Sequence, residues 1–279
     1  MQTTEKLQRM VHLAPEMPPV CRLGLATRGN TFLSAEDVRL AMGSGINYLN
    51  WSGHEDGMSQ AIEELGSSQR AQVVVALQFS ARTVTAGNKE LKKVLSILQT
   101  GYIDVLTIYY MESEAEWCEI MKPGGVLGFL HEMKQQGKIR LIGLTTHQRV
   151  LGAKWAQTGQ LDLLMIRYNG AHPGAEEDVF PITRRLKIPV VGFTCMRWGA
   201  MLRSTPDDPP GFKVPTGRDW YRFSLSNPDV AVALMAPNGR QELLDNLSII
   251  KDWKPLDSEY LKMLKAHGQR IRKHAGHFP

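Results

Sequence analysis

The sequence predicts a (β/α)8 barrel with an additional C-terminal helix, built as one domain over residues 1–279. Three observations carry that expectation: eight short apolar runs rich in Val, Ile and Leu, helix-like stretches between them, and no linker that divides the chain. Such alternation is the mark of a parallel sheet with crossover helices. Strands of a parallel sheet are buried on both faces, which explains why most of the runs lack a period of two. A length of 279 residues is long for one domain but ordinary for an α/β barrel. An open doubly wound sheet gives a similar alternation, yet no GxGxxG follows the first run.

In chain order, the expected strands are residues 21–26, 47–51, 72–77, 104–109, 139–145, 161–168, 188–194 and 230–235. Between the first two, Ser34-Ala-Glu-Asp carries a capping pattern that opens a helix. Asn88-Lys-Glu-Leu opens another, which runs to about Thr100 with Gly101 as its C-terminal cap. The stretch 203–217, rich in Pro, Gly and Asp, has no periodicity and reads as a mobile loop. After the eighth unit, Leu256-Asp-Ser-Glu starts a last helix with Leu261, Leu264 and Ile271 on one face and charges on the other. That helix is expected to pack across the barrel.

Composition narrows the function classes. Hydrophobic residues at 43% and charged residues at 22% are globular averages and exclude a disordered chain or a disulfide mini-scaffold. Cys21, Cys118 and Cys195 are odd in number and lack zinc spacing, which points to a reducing compartment. The first residues have no signal-peptide core and no run approaches the roughly 20 apolar residues of a membrane span. The reading is cytoplasmic, with no membrane partner. A net charge of +5 is spread over the chain apart from a concentration at 262–273, so solvated helix faces account for it better than a nucleic-acid partner. A phosphorylated cofactor is the other use for that charge. His54, His147 and His172 fall near strand ends without ligand spacing, so no metal is expected. The 13 methionines read as core filling, and no protein partner is legible.

Four phrases then stand out: Gly45-Ile-Asn-Tyr-Leu-Asn, Tyr102-Ile-Asp-Val-Leu, Gln136-Gly-Lys-Ile-Arg-Leu-Ile-Gly-Leu-Thr and Asp245-Asn-Leu. Their wording and order resemble the aldo-keto reductase superfamily from about Leu23 to about Ile250, and the QGKIRxIG segment is the most specific part. The resemblance implies an NADP(H)-linked oxidoreductase acting on a small carbonyl compound at the C-terminal mouth of the barrel. It also implies a catalytic Asp, Tyr, Lys and His, and none is found. Asn50 stands for the Asp, Gln78 for the Lys and Tyr109 for the His, while the segment Gly53-His54-Glu55-Asp56-Gly57 holds no tyrosine. These replacements remove the acid together with the charges that tune it, so ordinary carbonyl reduction is not expected. His54, Glu55, Tyr109 and Tyr110 are the candidate substitute acids, since barrels keep their chemistry at strand ends. Two alternatives stay open: an inactive pseudoenzyme or ligand-binding module, and a different mouth chemistry such as a lyase, isomerase or hydrolase.

For the cofactor, the resemblance implies stacking on Phe193, although a buried core phenylalanine reads equally well there. Thr145 and Thr146 stand for a Ser-Asn pair that holds the nicotinamide amide, and Met165 stands for a Gln. Met165 offers only a weak sulfur acceptor. Arg197 follows the seventh strand, where the family places the pyrophosphate. Gly239 and Arg240 sit where the 2′-phosphate is bound, and Asn246 keeps an adenine-contacting Asn. An Arg167-Tyr168-Asn169-Gly170-Ala171-His172 phrase resembles one found in some bacterial members of the superfamily.

Overall fold

The computed structural model describes residues 8–27 and 33–276. Eight parallel strands close into a barrel: β1 Leu23–Ala26, β2 Tyr48–Trp51, β3 Val74–Phe79, β4 Ile103–Ile108, β5 Ile139–Thr146, β6 Leu163–Arg167, β7 Val190–Phe193 and β8 Val230–Met235. Each strand pairs with the next in sequence, and β8 pairs with β1 to complete the ring. Every apolar run of the sequence falls on one of these strands. A hairpin that the sequence does not announce, Met10–Val11 with Val20–Cys21, precedes β1.

Alternation along each strand divides the core in two. Side chains such as Leu25, Leu49, Val75, Leu106 and Ile142 face the surrounding helices, whereas Tyr48, Val74, Val105, Leu141 and Leu163 fill the barrel interior. Leu13, Met17 and Val20 of the hairpin region join that interior cluster, so the barrel is plugged at its base. The interior leaves little room. A Cβ on Gly24 would stand 2.8 Å from Val232 Cγ1, closer than such atoms approach, so β1 passes β8 there only as glycine.

The base also holds a buried carboxylate with partners around it. Asp104 accepts from Arg70 Nη1 at 2.7 Å, from Arg140 Nη1 at 2.9 Å and from the Val75 N–H at 3.0 Å. Both guanidiniums stand over the ring of Tyr102, 4.2 Å and 4.3 Å from its centre. Nearby, Arg22 Nη2 donates to the carbonyl oxygens of Leu225, Asn227 and Val230.

Ser34 caps the helix Ala35–Gly43 with a reciprocal box: its hydroxyl accepts from the Asp37 N–H, and Asp37 accepts from the Ser34 N–H. The next predicted start is displaced. That helix is Val84–Ile97, opened by Thr83, whose hydroxyl accepts from the Ala86 N–H. Gly87 and the β-branched Val84 and Thr85 blur the local helix signal, but Gly87 lets the helix approach Phe79 and Phe129 closely. Gly101 is not the cap, because Gln99 takes the left-handed position with φ 46°.

The last helix, Ser258–His274, is capped by Asp257 and buries Leu264, His267, Gly268 and Ile271. A Cβ on Gly268 would stand 2.2 Å from Gly170 O, so the helix crosses the loop after β6 in near backbone contact. Residues 203–216 form no helix or strand, yet they are fastened to this helix rather than loose. Asp208 accepts from Arg270 Nε at 2.6 Å and lies 3.2 Å from His267 Nδ1. Burial raises the Asp208 pKa, but the Thr205 N–H, Arg270 and His267 outweigh it and bring the carboxyl down to about 2. No helix among the described residues is long and apolar enough to cross a membrane.

Candidate functional site

A cavity of about 430 Å³ opens at the C-terminal ends of the strands. Because side chains alternate along a strand, the last inward position of each strand points into it. Asn50 of β2, Gln78 of β3, Tyr109 after β4, Thr145 of β5, Met165 of β6 and Phe193 of β7 all line this one space. Asn50 is fully buried, and neither its Oδ1 nor its Nδ2 has a hydrogen-bond partner among the described residues. The Thr145 hydroxyl, also buried, has none either. An unmatched buried polar group costs about 1–3 kcal/mol, and these atoms leave the cavity floor with hydrogen-bonding capacity that the protein does not use.

One wall is aromatic, made by Tyr109, Tyr110 and Phe193, with His147 packed against it but outside the lining. Tyr109 and Tyr110 lie 4.0 Å apart, Tyr110 stacks on His147 at 4.6 Å, and His147 meets the edge of Phe193 at 5.4 Å. His147 Nδ1 lies 3.1 Å from Glu112 Oε1, which also accepts the His147 N–H. Burial pushes the His147 pKa down, and Glu112 opposes it. A second wall is strained backbone: Thr194, Arg197 and Trp198 have φ of 53°, 48° and 53° without being glycine. Left-handed residues of this kind cost on the order of 1–3 kcal/mol each and gather at functional loops.

The Arg167 to His172 phrase supports that wall. Asn169 is fully buried; its Nδ2 donates to Thr194 O at 2.8 Å, and its Oδ1 accepts from the N–H groups of Ala171 and His172. Tyr168 donates to Glu176 at 2.6 Å and accepts from Asn227 Nδ2 at 3.2 Å. The loops after β6 and β7 are thereby tied together.

Several sequence-predicted residues lie elsewhere. His54 and Glu55 are exposed and off the cavity: Gly53 turns the chain with φ 85°, the Trp51 indole donates to His54 O, and Asp56 caps the helix Gly57–Glu63. Thr146 faces outward, where its hydroxyl accepts from the Gln148 N–H and its methyl meets Gly152. Arg197 turns away on its left-handed backbone and donates to Gly276 O at 2.9 Å. Gly239, φ 134°, precedes the helix Arg240–Lys251 without lining the cavity. Arg240 is held by Glu36 at 2.7 Å and Asp37 at 2.8 Å, two carboxylates at the start of the first barrel helix. Asn246 is buried against Gly217, with Oδ1 3.4 Å from where a Cβ would stand, and is outside the lining.

The structure places Tyr110, a candidate acid of the sequence, and Trp198 in the lining, and adds Thr194, Tyr221, Asn238 and Glu242, which sequence reasoning passed over. Glu242 is the most informative, since it accepts from the Asn238 N–H at 3.0 Å at the end where Arg240 was expected to act. Its only signal in the sequence is an acidic residue in the first turn of a helix. Among the described residues no group of three His, Cys, Asp or Glu is placed to hold a metal ion.

Comparison with known proteins gives this site a setting. The NADH-specific methylglyoxal reductase of Escherichia coli is 22% identical over 173 residues, 62% of this chain and 47% of that protein. The chain thus spans about half the length of that curated relative. Two solved structures share the fold: the holo form of aldo-keto reductase AKR11C1 from Bacillus halodurans and the glycerol dehydrogenase AKR11B4 from Gluconobacter oxydans. The first is 18% identical with a TM-score of 0.72, covering 94% of this chain and 96% of that one. The second is 14% identical with a TM-score of 0.71, covering 95% and 96%. Residues 33–219, two barrel-mouth walls included, match the aldo/keto reductase family, and the chain belongs to it.

Proposed function

We propose that this aldo-keto-reductase-like protein binds a nicotinamide dinucleotide together with a small-molecule ligand at the barrel mouth, and that it does not perform the family's ordinary carbonyl reduction. One observation carries the reading: among the described residues that line the cavity there is no Lys, Arg, His or Asp, and Asn50, Gln78 and Tyr109 form a neutral floor. A tyrosine gives up a proton near neutral pH only when something lowers its pKa from about 10, and a neighbouring cation is the usual means. Gln78 supplies none.

The residues present fit the nicotinamide end. Phe193 offers a ring face, the Thr145 hydroxyl an unmatched donor and acceptor, and Asn50 an amide of both kinds. The dinucleotide, when bound, supplies or accepts a hydride. Asn50 Nδ2 is able to hold a carbonyl oxygen by hydrogen bonding, but it has no proton to transfer. At the far end the fit is to NADH rather than NADPH. A 2′-phosphate would have to displace Glu36 and Asp37 from Arg240 and lie near Glu242, whereas a 2′-hydroxyl carries no charge.

Titration of the protein with NADH and NADPH by fluorescence, then incubation with a panel of aldehydes and ketones against a heat-inactivated control, tests both parts. Saturable binding without turnover is expected. Reduction within a factor of ten of the ~10 s⁻¹ typical of enzymes overturns the inactive reading, and loss of that rate in Tyr109→Phe names the acid.

A further inference from the structure

Two carboxamides meet in the floor of the cavity, Asn50 from β2 and Gln78 from β3. Strand pairing fixes their spacing. Asn50 is level with Ala76, two residues before Gln78 on the adjoining strand. Neighbouring strands lie about 4.8 Å apart and rise about 3.3 Å per residue, so the two Cα atoms stand roughly 8 Å apart on one face, within reach of a single small ligand. Gln78 is level in turn with Thr107, two residues before Tyr109, which sets the phenol one step further round the same floor.

These groups are uncharged, and each amide carries a donor nitrogen beside an acceptor oxygen. Asn50 is fully buried with neither amide atom partnered among the described residues, so both remain for a ligand. Gln78 is half-buried beside it. A carboxamide meets another amide through two parallel hydrogen bonds, its N–H to the ligand's carbonyl and its oxygen to the ligand's N–H, the pairing by which Asn and Gln read adenine. A ketone fills only the first of these. A carboxylate has no N–H to offer Asn50 Oδ1, and no Lys, Arg or His lines the cavity among the described residues to balance its charge. The rings of Tyr109, Tyr110 and Phe193 line the same space, with Tyr109 and Tyr110 centred 4.0 Å apart and Tyr110 and Phe193 6.3 Å apart. Such a wall favours a flat ring, which gains stacked or edge contacts there.

We propose that Asn50 and Gln78 form an amide-reading floor, and that the small-molecule ligand of this cavity is an uncharged flat ring with a carboxamide or lactam edge. The inference names the ligand class for the reading given above and rests on it only for the place of NADH beside that ligand. The carboxamide of the nicotinamide is the other source of the same chemistry, and the test separates the two.

Benzamide, benzoate and acetophenone, which share a ring and differ in the group they present, are titrated calorimetrically at constant pH and ionic strength. Each is added to the protein alone and to the protein mixed with excess NADH, for the parent and for Asn50→Leu, Gln78→Leu and Thr145→Val. Saturable benzamide binding is expected with and without NADH, roughly tenfold tighter than that of benzoate or acetophenone. Either leucine variant should weaken it roughly tenfold, and Thr145→Val should leave it unchanged. Gln78 is half-buried, so its variant reports on the floor even where Asn50→Leu melts early. Absence of saturable benzamide binding, equal affinity for benzoate or acetophenone, or indifference to both leucine variants overturns the proposal. Displacement of benzamide by NADH, or weakening in Thr145→Val alone, assigns the amide chemistry to the nicotinamide and overturns it too. The titration of the protein alone stands whether or not NADH binds, so failure of the cofactor reading is seen separately.

Discussion

Asp104 and Asn50 sit on strands two apart, each fully buried, and they are treated in opposite ways. At the base, Asp104 has two arginines and a backbone N–H around its carboxylate. At the mouth, Asn50 has no protein partner for either amide atom, and the neighbouring loop holds three non-glycine residues in left-handed backbone. A barrel secures its stability at the end where the strands start and keeps the other end for ligands. The contrast teaches that the same barrel matches one buried polar group with protein partners at its base and leaves another without them at its mouth.

The strongest way to break that comparison is to damage the base. Asp104→Ala leaves Arg70 and Arg140 without their shared carboxylate, and loss of about 3–5 kcal/mol is expected for a broken buried pair; denaturant melts measure it. At the mouth, Asn50→Leu should leave stability unchanged or raise it by about 1 kcal/mol, because an unmatched group is removed. A loss as large as that of Asp104→Ala would show that Asn50 is structural. In the same region Thr145→Val should weaken NADH binding by about 0.5–1.5 kcal/mol, the net worth of one hydrogen bond, with the melting midpoint held.

A pH titration sharpens the comparison further. His172 has its folded pKa pushed down to about 3 from the ordinary 6.5, so below 6.5 the unfolded chain binds a proton that the folded protein refuses. Stability should therefore decline as pH falls from 6.5 towards 3. His172→Asn should flatten that part of the profile, and an unchanged slope would assign it to other groups. The smallest effect is expected at Arg240, whose pairs with Glu36 and Asp37 are partly exposed. Arg240→Ala should leave stability almost unchanged and leave NADH affinity as it was. A selective loss of NADPH binding would restore the 2′-phosphate role implied by the resemblance.

What the sequence made legible follows from regularity. An apolar run marks a buried strand, and the family resemblance then pointed to Asn50, Gln78, Thr145, Met165 and Phe193 at the strand ends, positions that the alternation of side chains turns inward. The same logic has no hold on a loop. His54 and Glu55 leave the cavity because Gly53 reverses the backbone, and Arg197 points away because its own φ is positive, neither of which a residue name announces. Arg240 finds partners about two hundred positions earlier in the chain, a pairing created only when the barrel closes. The helix at Val84 was misplaced for a local reason, since its first turn is poor in helix formers and is justified by packing against Phe79 and Phe129.

The plug formed by Leu13, Met17 and Val20 has a kinetic consequence. A space closed at its base has a single doorway, so the molecule that lies deepest must arrive first and depart last. Whatever rests against Phe193 is covered by whatever comes next, and the second occupant controls the escape of the first. On the proposed reading, in which a dinucleotide and a small-molecule ligand share this space, binding should therefore be sequential, the outer one slowing the release of the inner.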